Sequence, residues 1–341
     1  MDRMLPVGKL SPEILKKIIA QAPMQDSRLF MGPGIGLDCG IVDNGNNYLV
    51  LKTDPITFAT EEIGWYAIQI IANDIATTGA EPLWLMVTAL FPQDKTDEVL
   101  VQKICSQVFD ACRAMNITLT NAHTEITYGI ERPILMCSLV GEVAKEKLIT
   151  PWGAKPGDAI LITKLIPVEG TALLAKEFPD RLREILSADE LETAQNFIHN
   201  PGIGISKDAR IAVLNGNVTA MHDPTEGGIA AALWELSEAC GYAMEMDSRC
   251  IPVSPLSQKI CNFFGLNPLN TIASGSLLLT VEASDAEVVI QALERSGIPC
   301  SKIGNILNQR QVQVFDLSSN SSLERPEQDE IAKVFSKDQS D

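Results

Sequence analysis

The chain has 341 residues, enough for two average domains, and it is 45% hydrophobic against 21% charged, so each half can bury a core. A formal net charge of −17 argues against nucleic acid and anionic membranes as partners. No uninterrupted apolar run reaches the roughly twenty residues of a membrane span; eight cysteines without a C-x-x-C pair, and an opening "MDRMLPVGKL" too broken for a signal peptide, predict a cytoplasmic protein.

The first predicted element is a helix in "SPEILKKIIAQAP", capped by Ser11, begun by Pro12 and stopped by Pro23, with Ile14, Leu15, Ile18 and Ile19 on one face. The stretch "FMGPGIGLDCGIVDNGNNYLVLKTDPITFA" reads as a glycine loop followed by a β-hairpin turned at "DNGNN". A long helix follows from about Glu61 to Thr78, closed by Gly79. "EPLWLMVTALFP" is a strand, "TDEVLVQKICSQVFDACRAMN" an amphipathic helix, "ITLTNAHTEIT" a short strand with a loop, and "PILMCSLVGEVA" a strand. The pattern breaks at "TPWGAKPGD", which predicts an N-terminal domain over 1–150 and a C-terminal domain over 151–341. Beyond it come the strand "AILITK", a helix, the charged helical segment "LREILSADELETAQNFIHN", a strand, and a helix opening in "MHDPTEGGIAA". "IASGSLLLTV", "DAEVVIQALERSG" and "SKIGNIL" continue the alternation, and a polar tail from about residue 317 is expected to be loosely held. Strands and helices mix in both halves with few βαβ repeats, so the predicted class is α+β rather than a doubly wound sheet.

Three isolated carboxylates carry the chemical argument. Asp74 is the one charged residue in the apolar helix from Ile63 to Ala80, and Asp38 is the one charge in "GPGIGLDCGIV". Asp54 ends the apolar strand "NNYLVLKTD", next to Thr53. A buried carboxylate needs a cation, strong donors or solvent. Each acid alone reads as a cap, whereas the three together read as a Mg²⁺–phosphate site, because Mg²⁺ takes hard oxygen ligands and bridges to phosphate. The glycine loop has neither the Walker nor the dinucleotide spacing. In "NAHTEIT", His123 and Glu125 are alternate residues that share a face when extended. In "MHDPTEGGIAA", Asp223 or Thr225 can cap the helix, and Gly227 and Gly228 admit either another backbone or a phosphate.

Taken in order, "GIGLDCGIVD", "LVLKTD", "ANDIATTGAEP", "NAHTEIT", "KPGDAILITK" and "HDPTEGG" resemble the aminoimidazole ribonucleotide (AIR) synthase-related superfamily. That group includes hydrogenase-maturation proteins, thiamine-monophosphate kinase and selenophosphate synthetase, and this chain resembles the hydrogenase-maturation branch most. The resemblance implies a two-domain AIR-synthase-like fold, a homodimer formed through the N-terminal domain, and ATP bound near that interface. It implies that Asp38, Asp54 and Asp74 hold Mg²⁺ and ATP phosphates beside Thr53 and Asn73. Thr124, Thr225, Gly227 and Gly228 would face nucleotide or substrate, with Asp223 or His123 as acid/base. The implied activity is phosphoryl transfer to an oxygen of a small-molecule or protein-borne acceptor.

The departures are specific. Leu37 stands where relatives carry the first acid of a pair, Asn121 and Ala122 replace two glycines, and Lys164 lies in a "TK" where the hydrogenase-maturation branch tends to carry Ser-Gly. The chain ends "FSKDQSD" with Cys300 as its last cysteine, so the cyanide-forming chemistry of a C-terminal cysteine is not expected. A non-catalytic ATP-binding assembly factor, and a maturation protein acting through another cysteine, are the alternative readings.

Overall fold

The computed structural model describes residues 5, 10–34, 37–57 and 61–338; residues 35 and 36 of the predicted glycine loop lie outside them. The first half runs α1 (Pro12–Ile19), β1 (Leu29–Met31), β2 (Gly40–Asn44), β3 (Asn47–Ile56), α2 (Ile63–Thr77), β4 (Glu81–Pro92), α3 (Glu98–Met115), β5 (Thr118–Thr127) and β6 (Ile134–Ala144). Its strands form one sheet in the order β1-β2-β3-β6-β4-β5, antiparallel except for the parallel edge pair β4/β5.

Helices α2 and α3 cover one face of that sheet. The Asp97 side chain caps α3 by accepting from the Leu100 amide at 2.8 Å, and Asn116 closes it in the left-handed conformation. Helix α2 is apolar on all sides because it is enclosed, with the sheet on one flank and the second half of the chain on the other.

The opposite face of the sheet is open. Leu51, Trp84, Met86 and Met136 are exposed, and the register sets Met136 between Pro55 and Thr88. Thr53 lies on this face, where Ser138 donates to its hydroxyl at 3.0 Å. Strand β5 corrects the expectation of a short strand with a loop. It pairs along β4 from Thr118 to Thr127 with one register shift between Leu85 and Met86, a long-range pairing that a stretch without apolar alternation does not announce.

The second half continues with β7 (Ala159–Thr163), α4 (Val168–Glu177), α5 (Pro179–Leu182), α6 (Ala188–Gln195), α7 (Ser206–Asn215), β8 (Val218–His222) and α8 (Gly228–Cys240). It ends with β9 (Met244–Met246), α9 (Pro255–Phe264), β10 (Leu278–Val281), α10 (Ala286–Arg295), β11 (Cys300–Ile306), β12 (Val314–Asp316), β13 (Ser321–Ser322) and α11 (Ala332–Asp338). The second sheet has the order β13-β12-β9-β11-β7-β10-β8. The charged helical segment is broken: Ser187 starts α6 afresh with a capping box to Glu190.

The described part of the tail, up to residue 338, is not loosely held. Ile331 and Val334 are buried beside Phe178 and Leu182, and Arg325 pairs with Glu238, so apolar anchors outweigh the polar composition between them. Among the described residues no helix is long and apolar enough to cross a membrane.

One side chain of the first half reaches a loop of the second, and a lysine of the second half holds that same loop. Asn73 on α2 donates to the Ile203 carbonyl at 2.8 Å and accepts from the Ile205 amide at 2.9 Å. From the other side, the buried Lys164 ammonium donates to the carbonyls of Gly204 and Gly275 and lies 3.3 Å from Asp208.

Candidate functional site

Four elements converge on one acidic cleft. The segment before β2 brings Asp38, β3 brings Lys52 and Asp54, α2 brings Asp74, and the end of β8 brings His222 and Asp223. Asp38, His222 and Asp223 each offer a ligand atom, and these atoms lie within 4.8 Å of one another. The Asp74 carboxylate, mid-helix among isoleucines and alanines, is met by the Lys52 ammonium at 3.0 Å. That cation is what the sequence argument demanded for Asp74, and it comes from the neighbouring strand.

Negative charge is in excess here. Burial pushes the Asp74 carboxyl well above the usual range, reinforced by Asp223 and Asp38 and only partly offset by Lys52. Burial and the Asp38 charge raise Asp223 to about 7 against the pull of His222 and Lys52. Together the shifts describe a buried cluster in which carboxylates outnumber the cations that face them. Asp223 is 1% exposed, and its Oδ2 has no hydrogen-bond partner. A buried, undonated carboxylate oxygen beside a second carboxylate is the donor set a hard divalent cation takes.

His222 was not singled out as a site residue. Its Nε2 lies 2.8 Å from Glu235 and its Nδ1 3.0 Å from the Asp223 carbonyl. Burial would lower its pKa, but the Glu235 hydrogen bond and the charges of Glu235, Asp38 and Asp223 hold it at about 10. A carboxylate and a backbone carbonyl are both acceptors, so the two contacts engage both ring nitrogens and fix the orientation of the ring. A folded pKa above the ordinary 6.5 stabilises fully below that value and is lost as pH rises through about 10. Glu235→Gln is expected to cost about 1–2 kcal/mol at pH 6, less than the full shift because Glu235 is partly solvated. The cost should shrink toward nothing by pH 11 in urea unfolding. A pH-independent loss would assign Glu235 a packing role instead.

The start of α8 departs from the expected cap. Neither Asp223 nor Thr225 caps it, because the chain needs a further turn before the helix begins. Gly227 is the N-cap, at φ +80, and its amide donates to Asp329 Oδ2 at 2.7 Å. The carboxylate at the positive end of α8 thus comes from more than a hundred residues downstream, out of reach of local pattern reading. The Gly228 amide donates to the Thr225 carbonyl at 2.9 Å. What presses on Gly228 is backbone: an added Cβ would lie 2.6 Å from the carbonyl oxygens of Leu269 and Thr271. Nearby, Glu169 is buried and raised to about 8 by burial, with its Oε2 unpartnered.

The remaining predicted residues sit apart. His123, Thr124 and Glu125 lie exposed on the edge strand β5, with the His123 and Glu125 side chains 3.7 Å from each other. Thr53 is on the open sheet face, and both amide atoms of Asn73 serve the 203–205 backbone.

With that geometry in hand, the comparisons are direct. The family profiles described as AIR synthase related protein, N-terminal domain and C-terminal domain match residues 36–143 and 155–316. A Methanocaldococcus jannaschii protein named for hydrogenase expression/formation is 28% identical over 296 residues, covering 84% of each chain. Carbamoyl dehydratase HypE of Cupriavidus necator is 29% identical over 269 residues, 76% of this chain and 73% of that protein. The structure of hydrogenase maturation protein HypE in complex with ATP superposes with a TM-score of 0.70 at 21% identity, covering 92% of this chain and 95% of that one. At that identity the likeness establishes a shared fold.

Proposed function

Because the chain belongs to the AIR synthase related family, in its HypE-like branch, we propose that it binds ATP with Mg²⁺ in the cleft between α2, β3 and the end of β8, and transfers phosphate to an oxygen of an acceptor. The observation that carries this reading is the Asp38–Asp223 pair, with one buried oxygen that no protein group satisfies. The ATP complex of a protein with the same fold supports the choice of nucleotide.

Asp38 and Asp223 would hold the ion, with Asp54 and Asp74 adding negative charge to the same cleft. Bound Mg²⁺ would supply charge neutralisation for the phosphates during transfer. His222, donating to Glu235, keeps the β8 end oriented toward Asp38. Helix α2 and the 203–205 loop exclude water from behind the carboxylates. Of the two acid/base candidates, Asp223 is the one at this cleft, and the acceptor is a small molecule or a protein-borne group. The open sheet face would bury itself against a second copy of the chain.

Calorimetric titration with ATP, with and without Mg²⁺, tests the reading. Binding that requires Mg²⁺ and weakens by about a hundredfold in Asp38→Asn/Asp223→Asn, some 3 kcal/mol, is the expected result. Binding that is absent, or indifferent to both the metal and the substitutions, would overturn it.

A further inference from the structure

We propose that Lys52 is a built-in cation of this site, one whose ammonium takes the place of a metal ion at Asp74 and confines the divalent ion to Asp38 and Asp223. The inference rests on the nucleotide–metal reading above and adds which carboxylates the ion uses.

The geometry divides the acids into two sets. Lys52 projects from β3 toward the helix-covered side of the sheet, 13% exposed, with Nζ 3.0 Å from Asp74 Oδ2. A lysine is rarely buried so far unless paired. Three carboxylates from three elements act on it: Asp74 of α2, Asp38 ahead of β2, and Asp54 of its own strand. Asp74 thus has a counter-charge tethered to the chain, one that needs no filled coordination sphere. Asp223 is the opposite case, since its buried Oδ2 has no donor. His222 does not remedy this, because its ring nitrogens go to Glu235 and to the Asp223 backbone carbonyl. The uncompensated charge therefore lies on the Asp38–Asp223 side. Breaking the buried Lys52–Asp74 pair would leave Asp74 as an uncompensated charge in an apolar helix, a second place for a divalent ion.

Mn²⁺ serves as the probe, counted by electron paramagnetic resonance on the full chain, with and without ATP. The wild type should bind a single Mn²⁺ per chain, and Asp74→Asn should leave that count unchanged. Lys52→Met should gain a second Mn²⁺, or bind at least about tenfold tighter, and adding Asp74→Asn to it should remove the gain. Lys52→Arg, which keeps the charge, should keep the wild-type count. Two ions in the wild type, loss of the ion in Asp74→Asn, or an unchanged Lys52→Met would each overturn the inference while leaving Mn²⁺-dependent ATP binding intact. Absence of Mn²⁺ from the wild type, with ATP or without, would overturn the functional reading together with this one. Asp74→Asn in the wild-type background decides the matter even if Lys52→Met does not fold.

Discussion

Gly228→Ala is expected to destabilise the protein by about 3–5 kcal/mol, among the largest effects of any single methyl group here. Two costs add. The residue sits at φ +61, where an L side chain pays about 1 kcal/mol. The new Cβ would also lie 2.6 Å from the Leu269 and Thr271 carbonyl oxygens and 2.9 Å from the Thr271 nitrogen. None of these is the yielding end of a flexible side chain. Thr271 is fully buried, its hydroxyl bonded to the Asn267 carbonyl, and Asn267 itself caps the 268–270 turn. Relief must come from moving the start of α8, and with it the Asp223 carboxylate a few residues upstream. Gly241→Ala is the control, since φ is again positive but nothing lies within 4 Å. It should cost about 1 kcal/mol. Equal losses in urea unfolding would show that conformation alone, not the 269–271 backbone, requires glycine at position 228.

Met136→Lys should leave the fold intact and split the proposed dimer. The side chain is 47% exposed on the open sheet face, with Leu51, Trp84 and Met86 exposed on neighbouring strands of the same surface. Apolar side chains grouped in this way mark a contact surface. In a two-fold dimer each substitution appears twice, so two ammonium groups enter one desolvated patch. A penalty of about 2–5 kcal/mol corresponds to a dissociation constant raised from roughly thirtyfold to several thousandfold. Sedimentation across a concentration series reads this directly, while unchanged circular dichroism confirms folding. A wild-type chain that sediments as a monomer would refute the dimer itself.

Much of the architecture was legible because its signals are local. The apolar run of α2, the amphipathic stretch of α3 and the apolar runs of β3 and β6 each place an element within two or three residues of its observed ends. The mixture of strands and helices in both halves was enough for the α+β class. Asp38, Asp54 and Asp74 were legible as isolated carboxylates at the edges of apolar elements, whereas Asp223 was read as a helix cap and, from the resemblance, as an acid/base candidate. What escaped depends on separation along the chain. Lys52 stands 22 residues before Asp74, and Glu235 stands 13 after His222, so neither pairing leaves a periodic trace. Asp329 reaches the α8 N-terminus from 102 residues away, which is why the polar tail looked free. The glycines of "TEGG" were read as admitting a backbone or a phosphate; at Gly228 a backbone is what comes close.

The Asn73 and Lys164 contacts bear on how such a chain can evolve. The residue beside Asp74 spends both ends of its amide on the backbone of a loop in the other half, and that loop is gripped again by a lysine from β7's end. Recombination that swapped one half for a relative's would have to import a matching loop, or lose the orientation of the acidic helix. An exchange of one half is therefore expected to preserve the fold only when both sides of this contact travel together.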